Sequence, residues 1–96
     1  MSKIAITRHG DAASGEYRAH VPGSTAIGRL TWVQHGNIRR AEHTTVPPEI
    51  GGRGVAALLV EALVADARAA GFKIDPACSY VAAQFQRHAD WADLRA

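Results

Sequence analysis

Apolar and polar residues alternate with a period of two through the first half of the chain and recur near every third or fourth residue in the second half. Strands should therefore precede helices. Ile4-Ala5-Ile6-Thr7 reads as a short strand running into the turn His9-Gly10-Asp11. In residues 16–21, Tyr17, Ala19 and Val21 share one face before Pro22-Gly23-Ser24. Residues 25–33 predict a third strand, closed by His35-Gly36-Asn37, and residues 38–46 a fourth that ends at Pro47-Pro48. Turns this short join antiparallel neighbours, so the four segments predict a meander.

Beyond the prolines the period changes. Val55, Leu58, Leu59, Ala62, Leu63, Ala67 and Ala70 recur at helical spacing, while Glu61, Asp66 and Arg68 mark the wetter side. Gly71 supplies the helix stop. Phe72-Lys73-Ile74 fits a short strand, which predicts a βαβ crossover back into the sheet. Asp75-Pro76 reads as an N-cap and first helical residue, opening a second helix through about His88 with Val81, Phe85 and His88 on one face. Trp91 and Leu94 are expected to anchor the tail, and Trp32 and Tyr17 to serve in packing.

A chain of 96 residues suits one domain over residues 1–96. Its 47% hydrophobic content can form a core without disulfides, and the lone Cys78 excludes an intrachain one, which suits a reducing compartment. No apolar run reaches the roughly 18 residues that span a bilayer, and the amino terminus lacks the apolar core of a signal peptide, so the expected location is cytoplasmic. The net charge of +2 is carried by scattered basic residues, which points away from nucleic acid and membrane and permits mild attraction to a polyanion.

The chemistry concentrates in residues 46–56, where a strand end meets a glycine-rich turn and then a long helix. Glycines let backbone approach a ligand, and the first helical turn offers unpaired N–H groups at a positive dipole end, so the segment is a candidate pyrophosphate cradle. A purely structural tight turn is the alternative. The spelling fits neither a Walker A loop nor a Rossmann fingerprint. No arrangement of the histidines and Cys78 matches a zinc site, and no metal is expected.

His43-Thr44-x-Val46-Pro47, Gly52-Arg53-Gly54-Val55-Ala56, Leu59-Val60, Ala67-Arg68-x-x-Gly71 and Pro76-x-Cys78-Ser79-Tyr80-Val81, with Phe85, Arg87-His88 and Asp93-Leu94, resemble the short YjdJ-like branch of the GNAT N-acetyltransferase superfamily. The resemblance extends forward through residues 16–33. It implies an α/β (α+β) fold with a mostly antiparallel sheet, a pyrophosphate-binding helix after strand four and a carboxy-terminal helix. It also implies acetyl-CoA as cosubstrate, with pyrophosphate on the backbone of Gly52, Arg53, Gly54, Val55 and Ala56 and pantetheine beside Val46. One departure stands out. The superfamily places Gln or Arg three residues before the central glycine, where this chain has Gly51, so Arg53 is expected to supply the missing charge.

The implied reaction, transfer of acetyl to a primary amine such as that of a protein or peptide, needs a deprotonated nucleophile, donors for the thioester oxygen and an acid for the departing thiolate. The resemblance puts Cys78 near the acetyl group, as nucleophile, as acid or as a small packed hydrophobe. Tyr80 is the next candidate acid, by likeness to the tyrosine that superfamily members use on this helix, with packing as its alternative. His43, near the end of strand four, is a candidate base or an inter-strand hydrogen-bonding group; strict alternation would turn Glu42 to the other face. His88 is expected to be a satisfied core histidine. Two rival readings remain: a non-catalytic acyl-CoA-binding module, and a histidine phosphatase using Arg8-His9-Gly10, whose usual parallel central sheet conflicts with the meander.

Overall fold

A computed structural model describes residues 3–96. Four antiparallel strands, β1 (Ala5–Gly10), β2 (Ser14–His20), β3 (Ile27–His35) and β4 (Ile38–Thr45), form the expected meander. Pro47 and Pro48 end it, because neither has an N–H to continue a ladder, and Pro48–Ile50 turn as a 3-10 helix. Helix α1 (Val55–Ala70) then crosses to β5 (Lys73–Pro76), which lies parallel to β4, giving the sheet order β1-β2-β3-β4-β5. Helix α2 (Ser79–Arg87) and a 3-10 segment, Ala89–Leu94, complete the mixed α/β fold.

All buried strand residues face one way. Tyr17 and Ala19 of β2, Leu30 and Trp32 of β3, Ala41 of β4 and Ile74 of β5 pack with Val55, Leu59, Leu63 and Ala67 of α1 and Val81 and Phe85 of α2. Gly28 lets α1 sit close on β3: a Cβ there would stand 2.7 Å from Val55 Cγ1. Trp91 and Leu94 are buried as expected, Trp91 meeting Phe85 edge-on (5.6 Å between centroids) and stacking on His88 (3.9 Å). Arg95 bridges to Ile74, and the Ala96 N–H donates to the Ile74 carbonyl at 2.8 Å, covering the outer edge of β5.

Three expectations are corrected. His9 does not open a hairpin loop; β1 continues through it, pairing His9 with Glu16 and Gly10 with Gly15. The buried stripe of α1 includes Val60 and Val64 and leaves Ala70 exposed, because the helix turns its β-branched residues inward. Asp75-Pro76 does not cap α2. Both belong to β5, whose ladder to Arg40 and Ala41 runs through them and ends where the N–H of Cys78 donates to the Ala41 carbonyl at 2.9 Å. Pro76 is tolerated there because it stands at the end of an edge strand. Cys78, still extended (φ −73°, ψ 129°), is the N-cap residue, one step before the first turn where the sequence places it.

Candidate functional site

Strand β4 carries two features of the site along its length. Its parallel pairing with β5 covers only Ile38–Ala41, so beyond Ala41 the two strands part, and β4 runs on through Thr45 while the segment after β5 turns into α2. At the same point β4 bulges: Ala41 pairs with Trp32 and His43 with Thr31, leaving Glu42 as the extra residue. The bulge breaks the strict alternation expected for this strand. Glu42 lines a groove with Thr31 on the sheet face away from α1, and His43, opposite Thr31, shares that face. His43 is exposed.

Cys78 is half-buried at the fork. Its Sγ lies 3.3 Å from Thr44 Oγ1. Burial pushes the thiol pKa up, but the Thr44 hydroxyl and the backbone N–H groups of Val81, Tyr80 and Thr44 outweigh it, leaving the thiol below the ordinary cysteine range. Tyr80, in the first turn of α2, is half-buried against the core. The structure therefore brings Cys78 and Tyr80 to the fork beside Thr44, and sets His43 one residue away on the opposite face.

At the far end of β4, Val46 is half-buried against the core and leads into the turn. Gly51, Gly52, Arg53 and Gly54 are exposed. Gly52 (φ +74°) and Gly54 (φ +73°) are left-handed, with open space where a Cβ would stand, so backbone rather than side chains lines the approach. Gly54 is the N-cap of α1 and supplies no side-chain cap; the Leu58 N–H closes the first helical bond on the Gly54 carbonyl at 3.2 Å. The N–H groups of the first turn have no acceptor within the helix, and that turn carries no acidic side chain. Such a cradle fits a pyrophosphate. The Gly51 N–H is already committed to the Pro48 carbonyl at 3.1 Å.

Sequence reading missed a second polar assembly. Tyr17 donates to Asp66 (2.8 Å), Arg8 to the same carboxylate (2.9 Å) and Arg39 to the Tyr17 oxygen (2.9 Å). The Arg39 guanidinium lies over both Trp32 (3.6 Å) and Phe72 (4.2 Å). Burial opposes ionisation of Asp66, but the bonds from Arg8 and Tyr17 and the charges of Arg8 and Arg39 hold its pKa below the usual carboxylate range. Tyr17 is pushed well above the phenol range, by burial first and by Asp66 second, and stays protonated. Asp66, read from periodicity as a solvated residue, is instead the clasp between α1 and the sheet. This assembly also answers the phosphatase reading: Arg8 is tied to Asp66, His9 to the Thr7 hydroxyl at 2.7 Å, and β1 is an antiparallel edge strand.

Among the described residues no group of three or more histidine, cysteine or acidic side chains is placed to hold a metal, and no helix is long and apolar enough to cross a membrane. No curated protein matches the chain. A family model described as GCN5-related N-acetyl-transferase matches residues 16–94, from the second strand of the meander to the end of the last 3-10 segment. With the forked β4 and the glycine cradle at the head of α1, that match over most of its length means that the chain belongs to the GCN5-related N-acetyltransferase family.

Proposed function

We propose that the protein transfers the acetyl group of acetyl-CoA to a primary amine, of a protein or peptide, and that it belongs to the short YjdJ-like branch of its family. The observation that carries this reading is the single strand that joins a glycine cradle to a fork holding a thiol of lowered pKa. Acetyl-CoA supplies the activated thioester. Backbone N–H groups of residues 52–56 would take the pyrophosphate, with the Arg53 guanidinium adding charge and Val46 lining the pantetheine path. Cys78 is assigned the role of nucleophile or acid, Tyr80 that of acid to the departing thiolate, and His43 that of base for the amine.

As the amine attacks, the new C–N bond replaces the C–S bond, the amine proton passes to the base, and the leaving thiolate takes a proton from the acid. If Cys78 attacks first, the acetyl group rests on its sulfur before the amine removes it. Mass spectrometry of a peptide and metabolite panel incubated with acetyl-CoA tests the assignment. Acetylated peptide lysines support it, exclusive modification of small metabolites overturns the peptide acceptor, and tight acetyl-CoA binding without any product favours the non-catalytic acyl-CoA-binding module.

The departure at Gly51 yields a prediction of its own. Gly51 is extended (φ −67°, ψ 156°), and a Cβ there would meet Pro48 at ordinary distances, its carbonyl oxygen at 3.4 Å and its Cα at 3.9 Å. Gly51→Arg should leave stability within about 1 kcal/mol and tighten acetyl-CoA binding by adding a cation beside the cradle. Titration calorimetry with both proteins reads the change; unchanged affinity would mean that charge at this position does not reach the pyrophosphate.

A further inference from the structure

The clasp between α1 and the sheet borders a pocket of about 260 Å³, at the end of the molecule where β1 passes into the β1–β2 turn. Arg8, Trp32, Arg39 and Asp66 line it, with Asp11 at its rim. No residue of the Cys78–Thr44 fork borders it. Asp66 stands twelve residues along the chain from Gly54, about 18 Å at the rise of a helix, so the pocket is also remote from the glycine cradle. Its volume lies below the roughly 300 Å³ at which pockets for drug-sized ligands begin, and suits a small ion.

Both arginines are held in place, and neither is used up. Arg39 donates from Nε to Gln34 (2.8 Å) and from Nη1 to the Tyr17 oxygen (2.9 Å) while its plane lies over Trp32 and Phe72, so Nη2 is the end left over. Arg8 donates through Nε to the two oxygens of Asp66 (3.1 and 2.9 Å), and its Nη1 and Nη2 have no hydrogen-bond partner among the described residues. The acceptors, by contrast, are engaged. Asp66 takes Arg8 and Tyr17, and Asp11 accepts the N–H groups of Ala13 (2.8 Å) and Ser14 (3.1 Å). Inside the pocket one carboxylate therefore balances two guanidiniums, while Asp11 is exposed at the rim, where solvent and salt screen its charge.

We propose that this pocket binds a small oxyanion of the phosphate class, at a second site separate from the one that serves acetyl transfer. Three unpartnered guanidinium nitrogens, two on β1 and one on β4, suit the three free oxygens of a phosphate group, whereas a carboxylate offers two. Arg39 is already pinned between two rings, so little side-chain freedom is lost when the anion arrives. The bound anion would join β1 to β4, which are not neighbours in the sheet, and so stabilise the clasp. The assignment is of binding alone: the His9 imidazole beside the pocket is tied to the Thr7 hydroxyl at 2.7 Å. The inference does not rest on the acetyltransferase reading.

The test is a titration of isotope-labelled protein with inorganic phosphate and, separately, with acetate, followed by amide and indole NMR at an ionic strength held constant with sodium chloride. Phosphate should give saturable shifts at the amides of Gly10, Asp11 and Arg39 and at the Trp32 indole. It should bind roughly fivefold more tightly than acetate, the difference expected for one further hydrogen-bonded oxygen. Arg8→Gln should weaken phosphate about tenfold, the loss expected for a charge-assisted partner. The Arg8 side chain is 52% exposed, so the variant should fold, and its spectrum reports whether it has. Arg8→Lys, which keeps the charge on a single nitrogen, should fall between the two. Gly54→Glu, which acts at the cradle, should leave the phosphate shifts as they are. Shifts confined to residues 52–56, equal affinity for phosphate and acetate, or an unchanged dissociation constant in Arg8→Gln would overturn the proposal.

Discussion

Cys78→Ala is expected to lower kcat for acetyl transfer by roughly a hundredfold or more, the usual loss when a positioned acid, base or nucleophile is removed, with acetyl-CoA affinity nearly unchanged. The expectation follows from place and polarisation. The thiol stands at the fork between β4 and α2, within 3.3 Å of the Thr44 hydroxyl and facing backbone N–H groups that favour its thiolate. Because the folded pKa is lowered, the thiolate forms at lower pH than in an ordinary cysteine. A nucleophilic Cys78 makes kcat/KM rise with pH through that pKa, and Thr44→Val, which removes the polarising hydroxyl, should move the rise to higher pH. A falling limb would instead assign the thiol the acid's role. Acetyl-CoA without acceptor should leave one acetyl group on the intact protein if the covalent route operates, and near-normal turnover in Cys78→Ala would remove Cys78 from the chemistry altogether.

The second large effect is on stability. Arg39→Ala should destabilise the fold by roughly 2–4 kcal/mol, because it removes the guanidinium from over Trp32 and Phe72 and takes a donor from the Tyr17 oxygen. For a domain of this size that corresponds to a fall in Tm on the order of 10–20 °C. Arg39→Lys should recover only part of the loss, since an ammonium cannot lie flat against both rings. Thermal unfolding followed by circular dichroism reads both variants, and a Tm within a few degrees of the native value in Arg39→Ala would show that the stack contributes little. Asp66 adds a pH signature. Its folded pKa is depressed, so its contribution is complete above the pKa it has when unfolded and is lost as pH falls through the lower folded value. Asp66→Asn should therefore flatten the acid limb of the stability profile.

The meander, the crossover helix and the buried tail were legible because each rests on local signals: alternation in β2, the prolines after β4, Gly71 closing α1, and apolar Trp91 and Leu94. Strand limits were less legible. The pairing of His9 with Glu16 extends β1 across a segment that reads locally as a turn. The start of α2 was misread because Asp-Pro is a good local cap, whereas the ladder from Arg40 and Ala41, more than thirty residues earlier in the chain, keeps Asp75 and Pro76 extended. The glycine cradle was visible as spelling, since only glycine suits the left-handed turn at Gly54. Nothing local announced the Thr44–Cys78 contact, the bulge at Glu42 or the clasp of Asp66 on Tyr17, because each depends on partners brought together by the sheet. For the same reason the open groove on the second face is a property of the fold and of no single segment.

The most direct test of the central assignment is calorimetric titration of the native protein with acetyl-CoA, beside Gly54→Glu and a Gly54→Ala control. Both substitutions carry the backbone strain of a left-handed residue, about 1–2 kcal/mol, but only glutamate places a negative side chain at the cradle. The expected result is saturable binding by the native protein, weakened binding by Gly54→Ala, and none by Gly54→Glu. A native protein that gives no binding heat, or a Gly54→Glu variant that binds as the native does, would contradict a pyrophosphate site at the head of α1.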